Sequence, residues 1–249
     1  MRMYCLEDGK RFDKNHPKWP NKKDGTPYKV LTNSAIESTG LTLVPSVTSI
    51  LDPAKGHKLV NWAFWKAGKI AVEFLKTGPC YNDEQELEEL AEAFINEKRN
   101  EPADAGSDVH DLLDRYVKSC SNDSSDVASA TRAFIIENSG PDILRCRPEE
   151  QFACTVEGMS FGGTVDVQDQ QFVLDYKTTD GKREPYITEC AQLWAYDMFA
   201  KNGRRLVNVY IDRNTMRPYL YKEWNNIERE RAFDVFNACY NLLMALEEI

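Results

Sequence analysis

Two apolar runs, Phe161 to Val167 and Phe172 to Lys177, flank four polar residues, Gln168-Asp-Gln-Gln171. Apolar runs around a short polar break read as a β-hairpin. A strand sends alternate side chains to opposite faces. Val173, Asp175 and Lys177 therefore share one face, and Phe172, Leu174 and Tyr176 the other, where they can bury against a helix. A hairpin closed at 168–171 also brings Asp166 beside Asp175. Two carboxylates and an amine then meet on neighbouring strands, and hard cations such as Mg²⁺ and Mn²⁺ take oxygen ligands of this kind.

The Asp-x-Lys triplet carries little information by itself. At average composition roughly one is expected in a chain of this length. Three occur here, and Asp8-Gly-Lys10 and Asp180-Gly-Lys182 contain glycine and read as turns. Asp175-Tyr-Lys177 alone ends an apolar strand.

The rest of the 249 residues fits one large domain or a core with an added lobe. Residues 1–45 are polar and punctuated by proline and glycine, with a short strand expected over Tyr28 to Thr32. Helices are expected from Val44-Pro-Ser-Val-Thr-Ser-Ile-Leu51 onward: His57 to Leu75, acidic Asp83 to Arg99, Asp104 to Val117 and Val127 to Asn138. The loop Ser119 to Asp126 separates the last two. Strands follow over Glu150 to Val156, Phe161 to Val167 and Phe172 to Lys177. A helix over Tyr186 to Ala200, strands over Leu206 to Asp212 and Tyr219 to Trp224, and a closing helix over Asn226 to Leu246 complete the pattern. This order reads as an α/β core over 104–249, preceded by an N-terminal helical lobe over 1–103.

The net charge of −9 argues against a broad basic surface for nucleic acid, although Lys22-Lys23, Lys98-Arg99, Lys182-Arg183 and Arg204-Arg205 are local basic pairs. The seven cysteines include no Cys-x-x-Cys pair, which speaks against a zinc ribbon. Their loose spacing suits reduced thiols and a cytoplasmic location. The N-terminus has no apolar leader and no run reaches membrane-spanning length, so no membrane association is expected.

Other residues gather around the hairpin in sequence order. His110, one of three histidines, follows Gly106 at the start of a helix. Glu150 opens the first strand of the meander, with Glu149 as its competitor. Gln192 and Tyr196 are spaced i, i+4 and share a helical face.

The series Gly106-x-x-x-His110, Glu150, Gly163-Thr-Val-Asp166, Leu174-Asp175-Tyr-Lys177-Thr-Thr and Gln192-x-x-x-Tyr196 resembles the RecB-type nuclease branch of the PD-(D/E)XK superfamily, over residues 104–200. Pro45-Ser-Val-Thr-Ser-Ile-Leu51 resembles, less specifically, the phage and mitochondrial exonucleases of that branch. The resemblance implies a restriction-endonuclease-like core, a central mixed sheet flanked by helices. It implies a cation, Mg²⁺ or Mn²⁺, on Asp166 and Asp175, completed by Glu150, His110 and the carbonyl of Tyr176. It implies that Lys177 positions or polarises water, and that Gln192, Tyr196 and Ser46 support the site and the DNA. The activity implied is metal-dependent hydrolysis of DNA, as an exonuclease in recombination, repair or replication, with recombination or replication proteins as partners. In a phage, the host cytosol would be its location.

Some relatives carry an iron–sulfur cluster on one N-terminal and three late cysteines. Here only Cys190 and Cys239 lie late, so no such cluster is expected. No Gly-x-x-x-x-Gly-Lys-Ser/Thr motif is present. Trp62, Phe64 and Trp65 of the helical lobe are placed to stack bases if that lobe threads single strands. Two alternatives stand beside this reading: a module that binds nucleic acid or a recombination partner without cutting, and a nuclease directed at RNA.

Overall fold

The computed structural model describes residues 2–21, 26, 33–54, 74, 76, 86, 89, 90, 94, 109–119, 126–200 and 203–247. The expected strand over 28–32 and most of the expected helices over 57–75 and 83–99 lie outside them, as does most of the proposed lobe, including Trp62, Phe64 and Trp65. The Phe74 and Phe94 rings, both on helical residues, approach to 5.5 Å.

The chain is an α/β protein built on a five-stranded mixed sheet with helices on both faces. In chain order the described elements are β1 (Met3–Cys5), α1 (Asn33–Glu37), β2 (Leu43–Pro45), α2 (Val47–Ile50), the helical residues 109–119 (α3), α4 (Asp126–Glu137), a 3-10 turn (Ile143–Arg145), β3 (Arg147–Val156), β4 (Met159–Gln168), β5 (Phe172–Thr179), α5 (Ile187–Ala200), β6 (Arg205–Asp212), β7 (Arg217–Glu223) and α6 (Asn226–Glu247). β3, β4 and β5 form the expected antiparallel meander. β6 lies parallel to β5, and β7 returns antiparallel to β6. A parallel neighbour needs a crossover, and α5 supplies it. Pro148 and Pro218 sit in β3 and β7, the two edge strands of the order β3-β4-β5-β6-β7, where a missing N–H costs no interior ladder bond.

The alternation read from β5 sorts the core. Val173 faces one layer with Phe152, Phe161, Val165, Leu193, Trp194, Leu206 and Phe236, under α2, α5 and α6. Phe172, Leu174 and Tyr176 face the other, with Val109, Leu113, Val117, Val127 and Ile135 of α3 and α4. The buried positions 109, 113, 116 and 117 form the one-sided stripe of an amphipathic helix.

β1 and β2, too short to stand out in the sequence, pair antiparallel as Met3↔Pro45, Tyr4↔Val44 and Cys5↔Leu43. They dock on β4 through a Ser46↔Gly162 bridge. A Cβ on Gly162 would lie 2.5 Å from Tyr4 Cβ and 2.8 Å from the Phe152 carbonyl oxygen, so only glycine allows this approach.

A buried charge network fixes α5 and α6 to the sheet. Asp197 accepts from Arg204 Nε at 2.9 Å and from Arg229 Nη2 at 2.8 Å. Arg204 Nη1 donates to Gln168 Oε1 at 2.6 Å, and Nη2 to the Tyr196 carbonyl at 3.2 Å. A buried guanidinium is tolerated only when paired and hydrogen-bonded in this way.

Candidate metal and phosphate site

β4 and β5 pair only at Val167↔Leu174 and Gln168↔Val173. One step further the register brings Asp166 opposite Asp175, and there the strands part. The ladder is replaced by a side chain: the Tyr176 N–H donates to Asp166 Oδ2 at 2.9 Å. A backbone donor still finds an acceptor, while the parted strands leave a cleft with Asp166 partly exposed at it and Asp175 buried behind. His110, on α3, sets Nδ1 3.4 Å from Asp166 Oδ2. The His110 and Asp166 side chains keep 35% and 20% of their surface exposed, so the cleft opens to solvent.

Asp175 is held from three sides. Lys177 Nζ lies 2.6 Å from Oδ2, Asn208 Nδ2 donates to Oδ2 at 2.9 Å, and Gln192 Nε2 donates to Oδ1 at 2.9 Å. Gln192 also accepts from Lys177 Nζ at 2.9 Å and donates to Tyr196 Oη at 2.8 Å. The i, i+4 pair on α5 thus fixes both functional groups of β5. Gly163 makes room for it: a Cβ there would meet Tyr196 Cε1 at 2.8 Å.

Burial pushes the Asp175 carboxyl up to about 6, with the Asp166 charge adding to the rise and the Lys177 ammonium opposing it. Burial also works to raise Asp166, but the His110 hydrogen bond and charge outweigh it and leave this carboxyl below its ordinary value. His110 is raised: burial opposes its charge, yet Asp166 favours it more. Lys177 is raised too, burial being overcome by Asp175 and Glu189. The neighbouring carboxylates are thus set apart by environment, as happens in catalytic sites and in structural ion-pair networks alike.

Carboxylate oxygens and an imidazole nitrogen are donor types that a small divalent cation accepts. Two carboxylates repel when both are ionised, and a cation relieves that repulsion. Among the described residues the ligand atoms of Asp166, Asp175 and His110 do not all come within 4.8 Å of one another, so a cation would draw them together. Asp166, Asp175 and His110 would hold it. Tyr176 contributes its backbone to this corner. Its ring lies in the core against α3, with the hydroxyl buried and unpaired.

Two expected members are not brought in. Glu150 pairs with Val165, one residue from Asp166, but its Oε2 is taken by Arg147 Nη1 and Gln168 Nε2, both at 2.8 Å. Glu149 adopts φ +45° and binds Lys118 Nζ at 2.9 Å. Ser46 is the buried N-cap of α2: its Oγ accepts from Ser49 N at 3.1 Å and meets Thr48 Oγ1 and Ser49 Oγ. In this structure it serves as a helix cap.

Three supporting groups escaped the sequence reading. Asn208 is oriented by Trp224 Nε1, which donates to its Oδ1 at 2.8 Å and so turns the amide nitrogen toward Asp175. Glu189 binds Arg183 and accepts from Tyr210 Oη at 2.7 Å, where its charge reaches Lys177. Tyr4 Oη meets Thr164 Oγ1 at 2.9 Å, two residues from Asp166. Asn208 had a visible signal, a lone amide within the apolar strand Leu206-Val-Asn-Val-Tyr, since a buried amide needs partners.

No family model matches the chain, and no curated protein matches it. Ten chains of solved structures match. One, described as "Crystal structure of SSO0001", aligns with a TM-score of 0.33 at 15% identity over 68% of this chain and 84% of that one. A likeness of that size carries no argument about function. Among the described residues, no helix is long and apolar enough to cross a membrane.

Proposed function

We propose that this chain is a divalent-metal-dependent DNA nuclease of the RecB-type branch of the PD-(D/E)XK superfamily, that it works as an exonuclease, and that its sheet is a restriction-endonuclease-like core. One observation carries the reading: β4 and β5 part where Asp166 and Asp175 meet, with Lys177 one strand step beyond on the Asp175 face. A cation bound there supplies Lewis-acid polarisation of a phosphoryl oxygen and acidification of water. The chain's own groups do the rest. Asp175 and Gln192 hold Lys177 Nζ at the cleft, where its charge offsets negative charge gathering on the phosphate. The Tyr176 N–H orients Asp166, and Asn208 and Gln192 orient Asp175. Hydrolysis joins a water oxygen to phosphorus, breaks one P–O ester bond and leaves the departing oxygen protonated.

The acidic balance of the chain does not oppose this, because a cation adds positive charge where the backbone must approach. The test is Lys177→Ala, purified and shown by circular dichroism to be folded. Loss of Mg²⁺- or Mn²⁺-dependent cleavage is expected. Wild-type turnover by that variant would sink the mechanism. Matched DNA and RNA substrates separate a deoxyribonuclease from an RNA-directed enzyme.

A further inference from the structure

A second group of ligating side chains lies apart from the cleft, in the turn that follows β1. The ligand atoms of Cys5, Asp8 and His16 all lie within 4.8 Å of one another. His16 Nε2 is 3.1 Å from Asp8 Oδ2. Glu7 Oε2 stands 3.0 Å from Cys5 Sγ. The backbone shapes the cluster. Gly9 N donates to the Cys5 carbonyl, Cys5 N to the Lys10 carbonyl and Phe12 N to the Met3 carbonyl. Gly9 at φ +72° closes the turn with the glycine backbone that such a bend requires.

We infer that Cys5, Asp8 and His16, with Glu7 beside them, form a binding site for a borderline transition-metal cation such as Zn²⁺, separate from the Asp166–Asp175 cleft. The donor chemistry selects the ion. A sulfur, an imidazole nitrogen and carboxylate oxygens suit Zn²⁺ or Co²⁺, whereas Mg²⁺ and Ca²⁺ take oxygen. Size agrees: tetrahedral zinc with bonds of about 2.0–2.3 Å keeps its ligand atoms roughly 3.3–3.8 Å apart. The group must close by about an ångström at its widest to reach that spacing.

Its surroundings are those of a structural site. Cys5 and His16 are buried, and the Phe12 ring centroid lies 5.0 Å from the imidazole and 5.2 Å from the Trp19 ring. An apolar wall of this kind shields a metal from water and fixes ligand orientation. Asp8 is the exposed member and the way in.

Two contacts oppose the site. The Cys5 thiol donates to Glu7 Oε2 at 3.0 Å, so ligation through sulfur requires that proton to leave and the Glu7 bond to be given up. Lys18 N donates to His16 Nδ1 at 3.2 Å, which leaves the ring proton on Nε2. Coordination through Nε2 requires that proton to move to Nδ1, which gives up the Lys18 bond. A neutral hydrogen bond is worth far less than a metal–ligand bond, so the exchange favours the metal. The bound ion would tie the 5–16 turn together and so hold Tyr4, whose hydroxyl meets Thr164 on β4.

The experiment is titration of the full chain, stripped with chelator, by Co²⁺ under reducing conditions and followed by absorption. One high-affinity Co²⁺ per chain is expected, with a near-ultraviolet thiolate-to-cobalt charge-transfer band and visible tetrahedral bands. Cys5→Ser should lose the charge-transfer band. His16→Ala and Asp8→Asn should weaken binding by at least the roughly 10–100-fold that loss of a supporting group costs. Asp166→Asn should leave the band unchanged, which separates this site from the proposed catalytic one. A folded wild type without the band at saturating Co²⁺, or a band that survives in both Cys5→Ser and His16→Ala, overturns the proposal. If Cys5→Ser does not fold, Asp8→Asn decides, because its side chain is exposed: unaltered Co²⁺ affinity there counts against the site.

Discussion

Asp175→Asn should stabilise the metal-free protein at alkaline pH while removing its activity. The carboxyl titrates near 6 in the folded chain and at about 3.9 in the unfolded one. A raised carboxyl pKa means that the folded state binds the proton more tightly. Its stabilising contribution is complete below the unfolded value and is lost as pH rises through 6. With about two pKa units of difference, the ionised side chain costs the fold about 3 kcal/mol at pH 8 and only a few tenths at pH 4. Asparagine is neutral at both. It cannot accept from Gln192, Lys177 and Asn208 all at once, and one mismatched bond returns about 1 kcal/mol. The variant should therefore melt higher than wild type at pH 8 in EDTA by about 2 kcal/mol, or roughly 4–8 °C for a chain of this size. At pH 4 it should be equal or slightly worse. The assay is paired melting curves across that range. A variant less stable than wild type at every pH by a constant amount would refute the reasoning, because Asp175 would then be an ordinary hydrogen-bond acceptor.

Further outcomes follow from the same geometry. Asn208→Ala leaves the Trp224 indole N–H buried without an acceptor, so a loss of about 1–3 kcal/mol in urea unfolding is expected, together with weaker Mn²⁺ binding by calorimetry. Arg204→Ala strips Asp197 of one of its two cations and should cost about 3–5 kcal/mol in the same unfolding assay. Gly162→Ala forces the methyl against Tyr4 and the Phe152 carbonyl, at about 1–3 kcal/mol. Limited proteolysis should then cut within residues 2–21 sooner than in wild type.

The site's central strand was legible because its burial is two-sided and its period is two. Val173 and Leu174 do fall in opposite core layers, and the polar break at 168–171 fixed the register that sets Asp166 against Asp175. The helix face of Gln192 and Tyr196 was legible from their i, i+4 spacing. What escaped depends on pairings between distant residues. Asn208 meets Asp175 only through the parallel β5–β6 register, Asp175↔Asn208, which no local spacing encodes. β1 is three residues long and exists because β2, some forty residues away, pairs with it. Glu150 was read by position, and position was right to within one residue. Its carboxylate goes to Arg147 and Gln168, because β3 starts earlier than its apolar pattern suggests and brings Arg147 alongside. The hydroxyls after Pro45 signalled a helix start, and Ser46 caps that helix.

The central claim is tested most directly by incubating purified wild type and Asp175→Ala with end-labelled linear and circular DNA, single- and double-stranded, in Mg²⁺, Mn²⁺ or EDTA. Metal-dependent loss of linear DNA by wild type, sparing of circles, and no loss with the variant or in EDTA are expected. Folded wild type that cuts nothing under either metal, or a variant that cuts as well as wild type, would contradict it.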